Sequence, residues 1–160
     1  MDPNTEATFR ALLALPVAAL GTLHDGAPFV SMVPVVPTPD GSGFLIHVSR
    51  LAQHTQDLVA DGRVSLMFML PLEADQDPLA LPRLTLQAKA EAVPTESKAH
   101  EAGAEAYLAR FPQAELTLGL GGFSFFQIPP VSGRLVSGFG RALSLDATQI
   151  LDGLSALRLG

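Results

Sequence analysis

The sequence predicts a mainly β fold, an antiparallel β-barrel of the Greek-key type with peripheral helices. Three observations predict it. Short apolar runs, several of them alternating at every second residue, are separated by clusters of Gly, Pro and Asp. Asp25-Gly26 lies between two such runs, a strong short-range signal for a hairpin. Only one crossover resembles a β-α-β unit, so hairpins dominate and a closed antiparallel sheet is expected rather than a doubly wound one.

The elements follow in order. Residues 5–15 carry Phe9, Leu12 and Leu13 on one helical face, with Thr5 or Thr8 as the cap and Pro16 as the stop. Val17 to His24 is the first strand, and Pro28 to Val36 returns antiparallel to it. Pro34 marks that return as an edge or a bulge. Residues 37–43 are a turn cluster, and Phe44 to Val48 is the next strand. Ser49 caps a helix to about Ala60, with Leu51, Leu58 and Val59 as its apolar positions and Arg50, Gln53, His54 and Asp57 partly outside. Val64 to Leu70 is continuously apolar and reads as a strand buried on both faces.

Residues 71–81 form an acidic loop, and Arg83 to Val93 is one long strand. A helix starts at Thr95 to Lys98 and runs to about Arg110. Residues 113–121 are a Gly/Leu linker before the strand Phe123–Ile128. Gly133 to Ser137 is the last core strand, and Phe139 to Leu145 extends it. Residues 146–158 form a terminal helix capped by Asp146.

The 160 residues suffice for one domain, 1–160. Hydrophobic residues make up 48%, which fits a globular chain. The absence of cysteine removes disulfides, thiolate metal sites and a Cys nucleophile. A net charge of -6 gives no basic footprint for a nucleic-acid partner. The polar, acidic start is unlike a signal peptide, and no apolar run is long enough for a membrane span. The expected location is therefore cytoplasmic. A mean hydropathy of +0.30 with only 16% charged residues is high for a small monomer, so a homodimer is expected.

Candidate chemistry lies in three places. Ser49, Arg50, His54 and Thr55 gather donors within about one and a half helical turns of a strand-to-helix junction, a pattern that can hold a phosphate. The same residues also read as a cap and a solvated face. Arg83 and Thr85 share one strand face and could bond a planar, carbonyl-rich ring, or simply face water. Ser31 lies on an apolar strand, where a lone Ser is usually satisfied by a neighbouring backbone group. It has no nucleophile elbow around it and no partners at triad spacing, which removes hydrolase chemistry. None of His24, His47, His54 and His100 pairs with another at a metal-ligand spacing, so no metal site is expected. No catalytic acid or base is visible.

Taken together, Gly26-Ala-Pro-Phe-Val-Ser31, Leu45-Ile-His-Val-Ser49-Arg-Leu-Ala-Gln-His54-Thr55, Arg63-Val-Ser-Leu66 and Pro82-Arg83-Leu-Thr85 resemble the pyridoxamine 5'-phosphate oxidase-like FMN-binding split barrels. Gly122-Phe123-Ser-Phe125 and Val136-Ser-Gly138-Phe139-Gly140-Arg-Ala142 resemble the branch related to haem-utilisation proteins. The resemblance implies a homodimer with FMN between the subunits. In it Ser31 and Val33 line the flavin, and His47, Val48 and Ser49 contact ring and ribityl phosphate. His54 and Thr55 hold the phosphate, Arg83 and Thr85 meet the pyrimidine edge, and Phe139 approaches the flavin or the dimer interface.

The function implied is an FMN-dependent oxidoreductase acting on a small-molecule substrate. Two alternatives stand beside it. The Gly-Phe-Gly-Arg-Ala ending motivates a haem- or tetrapyrrole-binding module on the same fold. The His54-Thr55-Gln56-Asp57-Leu58 run, where relatives often read His-Thr-Arg-Asn-Leu, motivates a cofactor-free dimeric binding protein.

Overall fold

The structure, a computed structural model, describes residues 1–157. The elements run α1 (Pro3–Leu13), β1 (Val17–His24), β2 (Ala27–Pro34), β3 (Val36–Pro37), β4 (Phe44–Ser49), α2 (Gln53–Ala60) and β5 (Arg63–Met69). They continue with β6 (Arg83–Lys89), β7 (Glu91–Ala92), α3 (Lys98–Arg110), α4 (Glu115–Leu118), β8 (Phe123–Ile128), β9 (Pro130–Gly138), β10 (Arg141–Asp146) and α5 (Ala147–Leu157). All strand pairs are antiparallel. They form a six-stranded sheet in the order β10-β9-β6-β5-β1-β2 and a four-stranded sheet in the order β3-β4-β8-β7.

The mainly β fold with peripheral helices is as expected, but the sheets do not close into one barrel. The ladder is cut where the chain passes between sheets. β2 ends at Pro34, which has no N–H to offer, and the Val35 amide donates to Pro16 O at 2.9 Å. Pairing resumes at Val36 in the other sheet. The second cut divides the strand expected over residues 83–93. β6 ends at Lys89, Ala90 N–H donates to Gly62 O at 2.7 Å, and β7 begins in the four-stranded sheet.

Local chemistry explains the individual elements. Asp2, not Thr5 or Thr8, caps α1: its carboxylate accepts from the amides of Asn4 and Thr5, both at 3.1 Å, with Pro3 at the first turn. Asp25 and Gly26 both take positive φ (50° and 81°), as a two-residue hairpin turn requires. Phe139 does not extend β9. Gly140, at φ 72°, reverses the chain there, so residues 141–146 form a separate strand. The cap of α3 is Ser97, whose Oγ accepts from His100 N. The stretch 113–121 holds α4 rather than a plain linker. Asp146 caps α5 as expected. Its carboxylate accepts from Gln149 N at 2.9 Å while Gln149 Oε1 accepts from Asp146 N at 3.0 Å, a reciprocal box. Position 158, expected in that helix, lies outside the described residues.

The main core fills the space between the inner faces of the two sheets. Leu20, Leu66, Phe68, Leu84, Leu86 and Leu135 come from the larger sheet, and Phe44, Ile46, Val48, Phe126 and Ile128 from the smaller. Phe9, Leu12 and Leu13 of α1 and Ile150 and Leu154 of α5 close it against β9. Each such side chain contributes roughly 1.5–3 kcal/mol by leaving water. A second cluster of Leu45, Tyr107 and Phe125 lies on the outer face of the smaller sheet under α3. β5 is not buried on both faces: Val64, Leu66 and Phe68 point inward while Met67 and Met69 stand exposed.

Gly43, just before β4, passes so close to β8 that a Cβ would lie 2.5 Å from Ile128 O and 2.9 Å from Pro129 Cα. Backbone cannot yield as a side chain can. Gly43→Ala is expected to destabilise the fold by about 1–3 kcal/mol, measured by urea denaturation. An unchanged midpoint would show that this crossing is looser than described.

Candidate functional site

Helix α2 fills the gap between the sheets at the end of the molecule where β1 and β2 turn. Its start differs from expectation. Ser49 is the last rung of β4, opposite Phe123, and its Oγ accepts only from Leu51 N at 3.3 Å. Arg50 N–H then donates to Gly122 O at 2.8 Å, which keeps the chain beside β8 for one more residue. The helix therefore begins at Gln53, and Ala52 is its uncapped N-terminus.

The buried side of α2 mixes polar and apolar residues: Leu58 joins the main core as expected, beside buried Thr55 and Asp57. Asp57, expected partly outside, is only 3% exposed, whereas Leu51 and Val59, expected on the apolar face, are exposed. The Asp57 carboxylate accepts from Thr22 Oγ1 at 2.8 Å, His24 Nδ1 at 2.9 Å and Gln53 Nε2 at 3.0 Å. Gln53 Nε2 also lies 2.9 Å from His24 Nδ1. One ring nitrogen cannot give a proton to Asp57 and take one from Gln53, so His24 donating to Asp57 leaves the Gln53 amide to the carboxylate. One turn earlier, His54 Nδ1 and Ser31 Oγ are hydrogen-bonded at 3.0 Å.

Charge follows from these contacts. Burial pushes the Asp57 carboxyl up, but the bonds from His24, Gln53 and Thr22 outweigh it and hold it below its ordinary value. The Asp57 carboxylate raises His24. Burial lowers His54 despite the nearby Asp57 charge, so its ring is neutral at neutral pH.

The outer face of the six-stranded sheet is open. Ala19, Gly21 and Leu23 of β1 lie in register with Met32, Val30 and Pro28 of β2, and Ala19 and Gly21 with Met67 and Ser65 of β5. Met67 and Met69 lie opposite Thr85 and Arg83. Val30 is 68% and Met32 63% exposed, and Met67 and Met69 are exposed as well. A cleft of about 540 Å³ crosses this face between Val30, Ser65 and Val131, with Arg63 and Lys89 at its rim.

The residues singled out from the sequence separate into six environments. Ser31 and His54 meet in the seam. Thr55, beside them in sequence, turns to the other side of α2, where its Oγ1 is buried without a partner. A buried hydroxyl left so costs about 1–3 kcal/mol. Val33 and Val48 point into the main core, 1% and 4% exposed. His47 stands on the outer face of the smaller sheet, its ring 5.2 Å from Phe123 and 4.4 Å from Phe125. Burial there, and the nearby His100, push it down to about 4. Arg83 and Thr85 lie on the open sheet face, where Arg83 Nη1 donates to Leu81 O at 2.9 Å. Phe139 is exposed at the β9–β10 turn. Reading by sequence missed Thr22, His24, Gln53 and Asp57 as a network. The one available signal was an acidic residue where relatives often carry Asn.

Two split antiparallel sheets with a helix between them and an open, partly apolar sheet face define the split-barrel class of cofactor-binding proteins. Residues 5–137 match the family model described as pyridoxamine 5'-phosphate oxidase, and the chain belongs to that family. It is 37% identical over 119 residues to a chloroplastic, non-canonical heme oxygenase (HOZ) of Arabidopsis thaliana, covering 74% of this chain and 35% of that one. The chain thus spans about a third of the curated relative's length. Among solved structures, a heme binding protein from Mycobacterium smegmatis superposes with a TM-score of 0.81 at 28% identity, over 95% of this chain and 62% of that one. The heme storage protein HutZ from Vibrio cholerae gives a TM-score of 0.69 at 26% identity, over 81% and 89%. Among the described residues, no helix is long and apolar enough to cross a membrane.

The family includes flavin-binding proteins, so the seam can be tested against a flavin phosphate. Around Ser31 the titratable groups are a neutral His54 and an anionic Asp57. Arg50 turns to Ser124, with Nε donating to its Oγ at 3.2 Å, and Arg63 is held by Asp61. The imidazole of His24 is taken by Asp57, and donors without a free cation do not fit a phosphate dianion.

The His24–Asp57 pair makes stability depend on pH. His24, raised when folded, contributes fully below its ordinary 6.5 and ceases to contribute as pH rises through its folded value. Asp57, lowered when folded, contributes fully above 3.8 and ceases to as pH falls through its folded value. Both act fully between 3.8 and 6.5. His24 is half-exposed, so water screens the pair and the effect is modest. Thermal melts should show Tm falling on the alkaline side in the wild-type protein but much less in His24→Gln, with the acid limb kept. Matching alkaline limbs would refute the pairing.

Proposed function

We propose that this chain is a homodimeric haem-binding protein, in which the open face of the six-stranded sheet serves as both subunit interface and haem seat. The observation that carries the reading is that face itself. It is largely apolar and exposed, and it is crossed by a cleft within the usual range of about 300–1,000 Å³ for ligand sites. Haem is a flat apolar ring with two carboxylates. Val30 and Val131 suit the ring, and Lys89 at the rim, beside an Arg63 already paired with Asp61, suits a carboxylate. The haem oxygenase, haem-binding and haem-storage functions in the relatives' names support the same ligand.

The dimer follows from composition and geometry together. Two strands of one face, β2 and β5, present Val30, Met32, Met67 and Met69 to water, a cost that a second copy would remove. This is the physical reason for the two-faced apolar character of β5. Bound haem would supply a redox-active iron. The chain's own residues would seat the ring, pair its carboxylates and exclude water from the seam.

A second reading, an FMN-dependent oxidoreductase, rests on the Ser31–His54 pair at the seam and on the family. It places the phosphate where no free cation lies, since His24 is taken by Asp57, which is why it stands second. Parallel titrations separate the two. Hemin should give a saturable Soret shift, while added FMN should stay free and fully fluorescent. Saturable quenching of FMN with no response to hemin would reverse the order. Lys89→Glu should weaken haem binding about tenfold, the equivalent of about 1.4 kcal/mol. Sedimentation should show a dimer at micromolar concentration and a monomer for Met32→Lys, which places a charge in the apolar face. A monomeric wild-type protein would remove the dimer.

A further inference from the structure

The far side of α2 carries a second opening, of about 600 Å³, between that helix and the β7–β8 end of the smaller sheet. Thr55 and Val59 line it from α2, Val93 from the residue after β7, Ser124 and Phe126 from β8, and Arg50 from the turn before the helix. It lies apart from the seam, because His54 and Asp57 use the opposite side of α2 to reach β1 and β2. It also lies apart from the open sheet face and shares no residue with the cleft there.

Two independent observations say that this opening is built for a ligand. Thr55 is 3% exposed, and its Oγ1 is the only buried side-chain polar atom without a hydrogen-bond partner among the described residues. Among the described residues every other such atom is satisfied, and this one is left unpartnered on a residue that lines the cavity. Arg50 is the second. Its Nε donates to Ser124 Oγ at 3.2 Å, and among the described residues it has no carboxylate partner; Arg83, Arg110, Arg134 and Arg141 lack one too, but only Arg50 lines this cavity. In a chain of net charge -6 an unpaired guanidinium at a cavity mouth is a selective feature. Val59, Val93 and Phe126 give the rest of the lining an apolar patch, with Gln56 and Thr95 at its polar edge.

We infer that this cavity binds a small amphipathic carboxylate. The guanidinium of Arg50 would take the carboxylate through the N–H groups that Ser124 leaves free, and the Thr55 hydroxyl would donate to an oxygen of the same ligand. The apolar part of the ligand would lie on Val59, Val93 and Phe126. One cation and one free hydroxyl suit a monoanion. A phosphate dianion would find too few donors, and a neutral alcohol would leave Arg50 unused. The inference does not depend on haem or on dimerisation.

Calorimetric titration of the full chain with octanoate tests it, with octan-1-ol and inorganic phosphate as comparison probes. One octanoate should bind per chain, and each comparison probe should bind at least tenfold more weakly. Arg50→Gln and Thr55→Val should each weaken octanoate at least fivefold. Thr55→Val keeps the shape of the side chain and deletes the unpartnered hydroxyl, so its Tm should rise while its affinity falls. No octanoate binding to the wild-type protein, phosphate binding as tight as octanoate, or affinity unmoved in both variants would overturn the inference. A lower Tm for Thr55→Val would also overturn it, by showing that the hydroxyl already has a partner.

Discussion

The buried carboxylate of Asp57 determines how this molecule is closed. Two open sheets leave a gap at the β1–β2 end, and α2 fills it with a charge beside a single core residue, Leu58. Taking a carboxylate out of water is costly unless donors surround it. Thr22 and His24 from β1 and Gln53 from the helix itself supply them. The requirement fixes the rotation of α2. With Asp57 turned inward, His54 faces Ser31, Thr55 faces the opposite cavity, and Leu51 and Val59 are left in water. The contents of both sides of the helix follow from one polar contact.

The same closure explains why the seam is a poor place for a second anion. Asp57 already holds the negative charge there, and burial keeps His54 neutral. Cations lie elsewhere: Lys89 and Arg63 on the rim of the open sheet, and Arg50 behind the helix. Chemistry that needs an anion held by a cation is thereby moved from the seam to those two surfaces.

The two interruptions of the ladder are equally physical. Proline cannot donate at position 34, and the Ala90 amide is taken by Gly62, so each strand must change partners. The result is two faces with different tasks. The inner faces share one core with α1 and α5. The outer face of the larger sheet keeps apolar side chains that none of the described residues covers.

Much of this was legible in the sequence. Asp25-Gly26 forced positive φ and hence the first hairpin, and the alternation in residues 83–89 gave β6 its inward face. Asp146 announced α5. Ordered segments along the chain carried the family. These are local or pattern signals, set by a few neighbouring residues. What the sequence alone could not decide is which way each polar side chain turns. Ser49 looked like a cap, but the bond from Arg50 N–H to Gly122 O delays the helix, and that partner lies 72 residues away in the chain. His47, Val48, Thr55 and Arg83 read as one site, yet they face an aromatic cluster, the core, a rear cavity and an open sheet. Periodicity gives the face of an element, but only packing against distant strands gives that face a neighbour, and the neighbour decides whether a residue is core, site or surface.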